Sequence, residues 1–133
     1  MSGSYIIVIL VQKDISLNIG SLGPTDFKEG YYLYVGSAMG KKGSTTLINR
    51  VKRHVLPPDK KKKHWHIDYL LESELANLIQ ILLIPSTNRI ECLISNELNE
   101  HSDGFIDDFG SSDCYCKSHL YYFSNYNNIP FKL

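Results

Sequence analysis

Residues 4 to 12, Ser-Tyr-Ile-Ile-Val-Ile-Leu-Val-Gln, are a nearly continuous run of β-branched and aliphatic side chains. A strand wetted on one face alternates apolar and polar residues, so this run predicts a strand covered on both faces. Such a strand needs layers on two sides of a sheet, and a chain of 133 residues is long enough to supply them without covalent staples. A second β-rich stretch, Tyr31 to Ser37, alternates aromatic and branched residues up to Gly36. Between the two lies a polar connection from about Lys13 to Gly30, with Gly20, Gly23 and Pro24 in it. The simplest pairing is an antiparallel hairpin with a long connection.

The rest of the chain supports an α+β domain spanning residues 1–133, in the order β-β-α-(α)-β-α-β. Gly40-Lys41-Lys42-Gly43 is a basic turn, after which Ser44 or Thr45 can cap a helix from Thr46 to about Leu56, ended by Pro57-Pro58. At 100° per residue Leu47, Ile48, Val51 and Val55 share one face and are expected to pack on the sheet, with Arg50 and His54 side by side at its edge. Lys52 and Arg53 point further outward. A short helix from His64 to Glu74 and a third buried strand over residues 75–84 follow. Ser86 or Thr87 can cap a helix from Asn88 to Asn99, with Ile90, Leu93, Ile94 and Leu98 toward the core. Leu120 to Phe123 reads as a short edge strand, and the tail from Ser124 as irregular.

Charge balances to zero but is unevenly spread. Lys41, Lys42, Arg50, Lys52, Arg53 and Lys60 to Lys63 are nine of the fourteen Lys/Arg residues, and only Asp59 opposes them before His66. Such a basic section reads either as a solvated surface or as a footprint for a polyanion. No apolar run approaches the roughly 20 residues of a membrane span, and Ile6 to Val11 is too short for a signal-peptide core. Cys92, Cys114 and Cys116 are too few for a disulfide framework. A soluble, cytoplasmic protein with reduced thiols and no membrane partner is the expectation.

Gly3-Ser4-Tyr5, Tyr34-Val35-Gly36 and Arg50 within Asn49-Arg50-Val51-Lys52-Arg53-His54 resemble the signatures of the GIY-YIG nuclease superfamily. His64-Trp65-His66-Ile67-Asp68-Tyr69-Leu70 and Gly110-Ser111-Ser112-Asp113-Cys114-Tyr115-Cys116 are similar to strings in its small stand-alone Uri-type branch. The resemblance implies a small sheet built on an N-terminal hairpin, and a metal-dependent endonuclease acting on nucleic acid, DNA before RNA. It implies one Mg²⁺ or Mn²⁺ ion on a helical glutamate, a mostly hydrated ion that one or two carboxylates can hold. Tyr5 or Tyr34 would position or deprotonate the attacking water, and Arg50 would grip the phosphate, with His54 beside it. Tyr31 and Tyr32 are expected to be scaffold.

Gly36 would let the substrate approach the backbone, and Lys41, Lys42, Arg53, Lys62, Lys63 and His64 would contact phosphates. Glu91 is the expected metal ligand and Glu97 the second choice. In excision-repair relatives of that family the matching glutamate falls near Asn96, where this chain has no carboxylate. Two other readings stand beside the nuclease. One is a domain that binds nucleic acid without cutting it. The other is an interaction module stabilised by Zn²⁺ at His64, His66, Cys114, Cys116 and His119, whose Cys-x-Cys spacing makes it the least favoured. More simply, His66 and Asp68 hydrogen-bond the Gly110 to His119 loop to the core.

Overall fold

The computed structural model describes residues 1–111 and 116–131. In chain order its elements are β1 (Gly3–Val11), β2 (Ile15–Asn18), β3 (Pro24–Phe27), β4 (Gly30–Ala38), α1 (Leu47–Val55), α2 (His66–Leu71), β5 (Ala76–Pro85), α3 (Glu91–His101), β6 (Gly104–Phe105) and β7 (Leu120–Phe123). Five strands form an antiparallel sheet in the order β5-β1-β4-β7-β6, and β2 and β3 form a separate hairpin. This is the α+β architecture the sequence predicts.

β1 is buried along nearly its whole length because both faces of the sheet are covered. Ile7, Ile9 and Val11 share a core with Tyr32, Leu47, Ile67, Leu70 and Phe27, so α1, α2 and the small hairpin lie on that side. Ile6, Val8, Leu33 and Val35 pack with Leu98 and Ile129, which places α3 and the C-terminal segment on the other. Each fully buried aliphatic side chain contributes about 1.5–3 kcal/mol. Register fixes the site: β1 runs against β4 with Tyr5 opposite Gly36 and Ile7 opposite Tyr34. Period-two alternation then turns Tyr5 and Tyr34 to the face that carries α1 and α2.

Several expectations need correction. The connection from Lys13 to Gly30 is not featureless, since it contains β2 and β3. β5 is an edge strand, not a buried one: it pairs only with β1, and Ile79 and Leu83 remain exposed. β7 is not the edge either, since β6 pairs beyond it. α1 is capped by the Thr46 side chain, which accepts from Asn49 N–H at 3.3 Å, instead of Ser44 or Thr45.

The buried face of α1 carries Leu47 and His54, while Ile48 and Val55 face solvent. The helix is thus rotated from its most apolar wheel so that polar side chains meet the hairpin. α3 begins at Glu91 without a side-chain cap, because Ser86 is engaged further back. Its N–H bonds the Ser2 carbonyl, and its hydroxyl donates to the Asn88 carbonyl at 2.6 Å. Leu93 is exposed, and Ser95 takes an interior position instead. Among the described residues no helix is long and apolar enough to cross a membrane.

Candidate functional site

Tyr5 is the centre of the site, and Gly36 is what lets it sit there. A Cβ at Gly36 would overlap the Tyr5 Cζ and hydroxyl, so the glycine accommodates the neighbouring ring before any substrate arrives. Gly36→Ala forces the ring aside and is expected to lower stability by about 1–3 kcal/mol. Chemical denaturation measures it; an unchanged midpoint would show that the ring relocates freely.

The Tyr5 hydroxyl and His54 Nε2 lie 2.7 Å apart in a buried hydrogen bond. α1 brings His54 there, because residues seven apart, Leu47 and His54, return to one side of a helix. Tyr34 lies alongside, its ring centroid 6.5 Å from that of Tyr5 and 6.1 Å from that of His54. Burial raises both phenols well above the ordinary tyrosine range, against the partial opposition of the Arg50 charge. Neither is a ready phenolate. Both stay protonated as donors unless a partner accepts the proton. His54 Nδ1 has no hydrogen-bond partner among the described residues, so the ring's one polar commitment is to Tyr5.

Burial lowers His54 from 6.5 to about 4, helped by the charges of Lys61, Arg53 and Arg50 and opposed by Asp68. The ring is therefore neutral at pH 7. Because the unfolded chain binds this proton more readily, the contribution is intact above pH 6.5 and lost as pH falls toward 4. At about 1.36 kcal/mol per pKa unit, the loss is about 3 kcal/mol. Stability measured between pH 7 and 4 is expected to fall more steeply for the native chain than for His54→Gln, which cannot be protonated. Parallel curves would contradict the burial-driven shift.

Arg50 lies over the Trp65 ring at 4.7 Å, and its Nη1 donates to the Ser37 carbonyl at 3.3 Å. Most of its five donors remain available toward the cleft. Arg53 does not point outward as expected. Its guanidinium lies 4.3 Å from the Trp65 ring and grips Asp68 with two bonds of 3.0 and 2.9 Å. Asp68 also accepts from the His64 and Trp65 amides, at 2.9 Å each. Burial raises the Asp68 carboxyl, but the bonds from Arg53, Trp65 and His64 outweigh it and hold the group below its ordinary value. Asp68 thus organises the start of α2 and the two residues before it. Of the two residues expected to tie down the 110–119 loop, His66 does so, its Nδ1 accepting from Gly110 N–H at 2.8 Å.

The lysine run is only partly free. Lys61 donates to the His54 carbonyl at 2.9 Å, satisfying the C-terminal end of α1, and Lys63 pairs with Glu72 at 3.0 Å. Lys62 lends its carbonyl to Arg53 and keeps an exposed side chain. Lys41 and Lys42 are exposed on the turn beyond β4.

A cleft of about 680 Å³ opens over this ensemble, lined by Tyr5, Tyr34, Gly36, Arg50, His64, Arg89, Glu91 and His119 among others. Glu91 is the one acid among its described lining residues. It is 9% exposed and approached by Arg89 at 3.5 Å, while Arg89 also donates to the Ser37 hydroxyl at 3.0 Å. Glu97 lies elsewhere, exposed and paired with His101, and Asn96 faces solvent. A hydrated divalent cation needs one or two carboxylates, so Glu91 fits that role and Glu97 does not. Arg89 is a site residue that the sequence reading missed, and His119, read there only as a possible zinc ligand, also lines the cleft. Arg89 had one local signal, its place two residues before Glu91.

The zinc grouping read from sequence is not assembled as expected. His66 is committed to Gly110, His64 is exposed, and Cys114 lies outside the described residues. The described residues instead gather Cys92, Cys116 and His119.

Fold and cleft together define a small α+β domain with phenol, imidazole and guanidinium groups facing a single carboxylate. The family described as Domain of unknown function DUF123 matches residues 4–132, and the chain belongs to it. No curated protein and no solved structure matches the chain.

Proposed function

We propose that this domain is a GIY-YIG-type nuclease of the Uri branch, a metal-dependent endonuclease that hydrolyses phosphodiester bonds of DNA. The observation that carries the reading is the convergence, in one cleft, of Tyr5 with its His54 partner, Tyr34, Arg50 and Glu91. Those groups come from β1, α1, β4 and the first turn of α3, and phosphodiester hydrolysis needs this combination of roles.

Arg50 binds the scissile phosphate through its remaining N–H donors and stabilises the charge that grows on it. Tyr5 orients the attacking water through its hydroxyl. With Nδ1 protonated, His54 Nε2 accepts the Tyr5 proton as that hydroxyl takes one from the water. The phosphate's negative charge offsets the cations that depress His54, so substrate binding makes the ring a better base. Tyr34 donates from the cleft wall. Glu91 would hold a Mg²⁺ or Mn²⁺ ion, which when bound polarises the phosphate and stabilises the leaving oxygen. Exposed Lys41, Lys42 and Lys62 add sequence-independent attraction along the backbone.

Purified protein incubated with plasmid and branched DNA in Mg²⁺ or Mn²⁺ tests the reading. Nicked or linear product that disappears with chelator is the expected result. Salt-dependent DNA binding without cleavage would leave the second reading, a non-catalytic binder, for which the Arg89–Glu91 contact is the motivating observation.

Glu91→Gln and Glu97→Gln, assayed side by side, separate the two carboxylates. The first is expected to lower cleavage on the order of 10²–10³-fold, the cost typical of removing one electrostatic contributor. The second should leave cleavage unchanged. Equal losses would remove Glu91 from its assigned role.

A further inference from the structure

Two of the chain's three cysteines meet beside the cleft. Cys92 is the second residue of α3, and its Sγ lies 2.7 Å from that of Cys116, on the segment leading into β7. The His119 ring is the third member, with one ligand atom from each residue within 4.8 Å of the others. His119 is held firmly: its N–H donates to the Phe109 carbonyl at 2.8 Å and its carbonyl accepts from Val35 N–H at 2.9 Å. The residue is 2% exposed.

We propose that Cys92, Cys116 and His119 hold a structural zinc ion. Zinc takes thiolates at about 2.3 Å and imidazole nitrogens at about 2.0–2.1 Å. Two thiolates on one tetrahedral ion stand about 3.8 Å apart, so the three groups are close enough to share an ion once the sulfurs part by about 1 Å from their 2.7 Å approach. Sulfur and imidazole are a soft donor set, suited to zinc and poorly suited to the hard Mg²⁺ of the cleft. The fourth position is open to a water. Binding breaks two S–H bonds, forms two Zn–S bonds and releases two protons to solvent, with no change of oxidation state.

The position gives the ion a job. It would clip the first turn of α3, where Glu91 precedes Cys92, to the segment that carries His119, and both Glu91 and His119 line the cleft. The site stands on its own geometry and does not depend on the nuclease reading.

Metal content of the full-length protein, expressed in zinc-supplemented medium and purified without chelator, is the test. One zinc per chain is expected, falling below a tenth of that in Cys92→Ser, Cys116→Ser and His119→Ala. Should those variants fail to fold, the native chain answers alone. Stripped of zinc and given Co²⁺, it should develop a thiolate-to-cobalt charge-transfer band, and zinc removal should lower its melting temperature. A metal-free native protein with no cobalt band would overturn the proposal, as would a Cys92–Cys116 disulfide found by mass spectrometry.

Discussion

Asp68→Ala is expected to destabilise the protein by about 3 kcal/mol, the lower end of what breaking a buried ion pair costs. The Asp68 side chain is fully enclosed, whereas Arg53 keeps 25% of its side chain in water, which moderates the loss. Removing the carboxylate leaves an Arg53 guanidinium and the His64 and Trp65 amides without their acceptor. The difference must depend on pH. Because the folded chain holds this carboxyl below 3.8, its contribution is present above that value and disappears as pH falls through the lowered one. Native and variant stabilities should therefore converge in strong acid. A gap that persists there would mean that packing, not charge, accounts for the effect. Asp68 also sets the position of Trp65, against which both arginines lie, so the variant should lose DNA affinity as well.

Arg50→Ala is the second large effect, and it falls on activity instead of stability. The side chain lies at the cleft margin, and its loss removes one contact over Trp65 and one long bond to Ser37. Together these are worth about 0.5–1 kcal/mol. Cleavage, in contrast, should fall on the order of 10²–10³-fold, because no other described lining residue except Arg89 offers a guanidinium to the phosphate. Arg50→Lys should restore little, since a point charge does not reproduce the two-pronged fork. A variant that unfolds, or one that cuts DNA at the native rate, would contradict the assignment.

The parts of the fold that were legible in the sequence are those in which local pattern and tertiary role agree. β1 reads as buried on both faces because it is, and β4 reads as a strand because its aromatics alternate. β2 and β3 were missed because four-residue strands such as Ile-Ser-Leu-Asn and Pro-Thr-Asp-Phe carry too little pattern to separate from a loop. α1 shows tertiary structure overriding the apolar wheel. Ile48 and Val55 were assigned to the core, yet the helix turns His54 inward because Tyr5 waits there with a hydroxyl to share.

The site divides in the same way. Tyr5, Tyr34, Gly36 and Arg50 announce themselves through short motifs, and all of them reach the cleft. Glu91 against Glu97 turned on helix rotation, which the uncapped start at Ile90 obscured. Arg89 against Ser37, and Cys92 against Cys116 and His119, are meetings of distant segments that no local spacing encodes.

The most direct measurement is anomalous diffraction from crystals of the Arg50-intact protein grown with a short DNA duplex and soaked with Mn²⁺. The account predicts a manganese peak on the Glu91 carboxylate, a backbone phosphate on the Arg50 guanidinium, and the Tyr5 hydroxyl facing that phosphate. DNA seated outside the cleft, or DNA in the cleft with no manganese at Glu91, would contradict it.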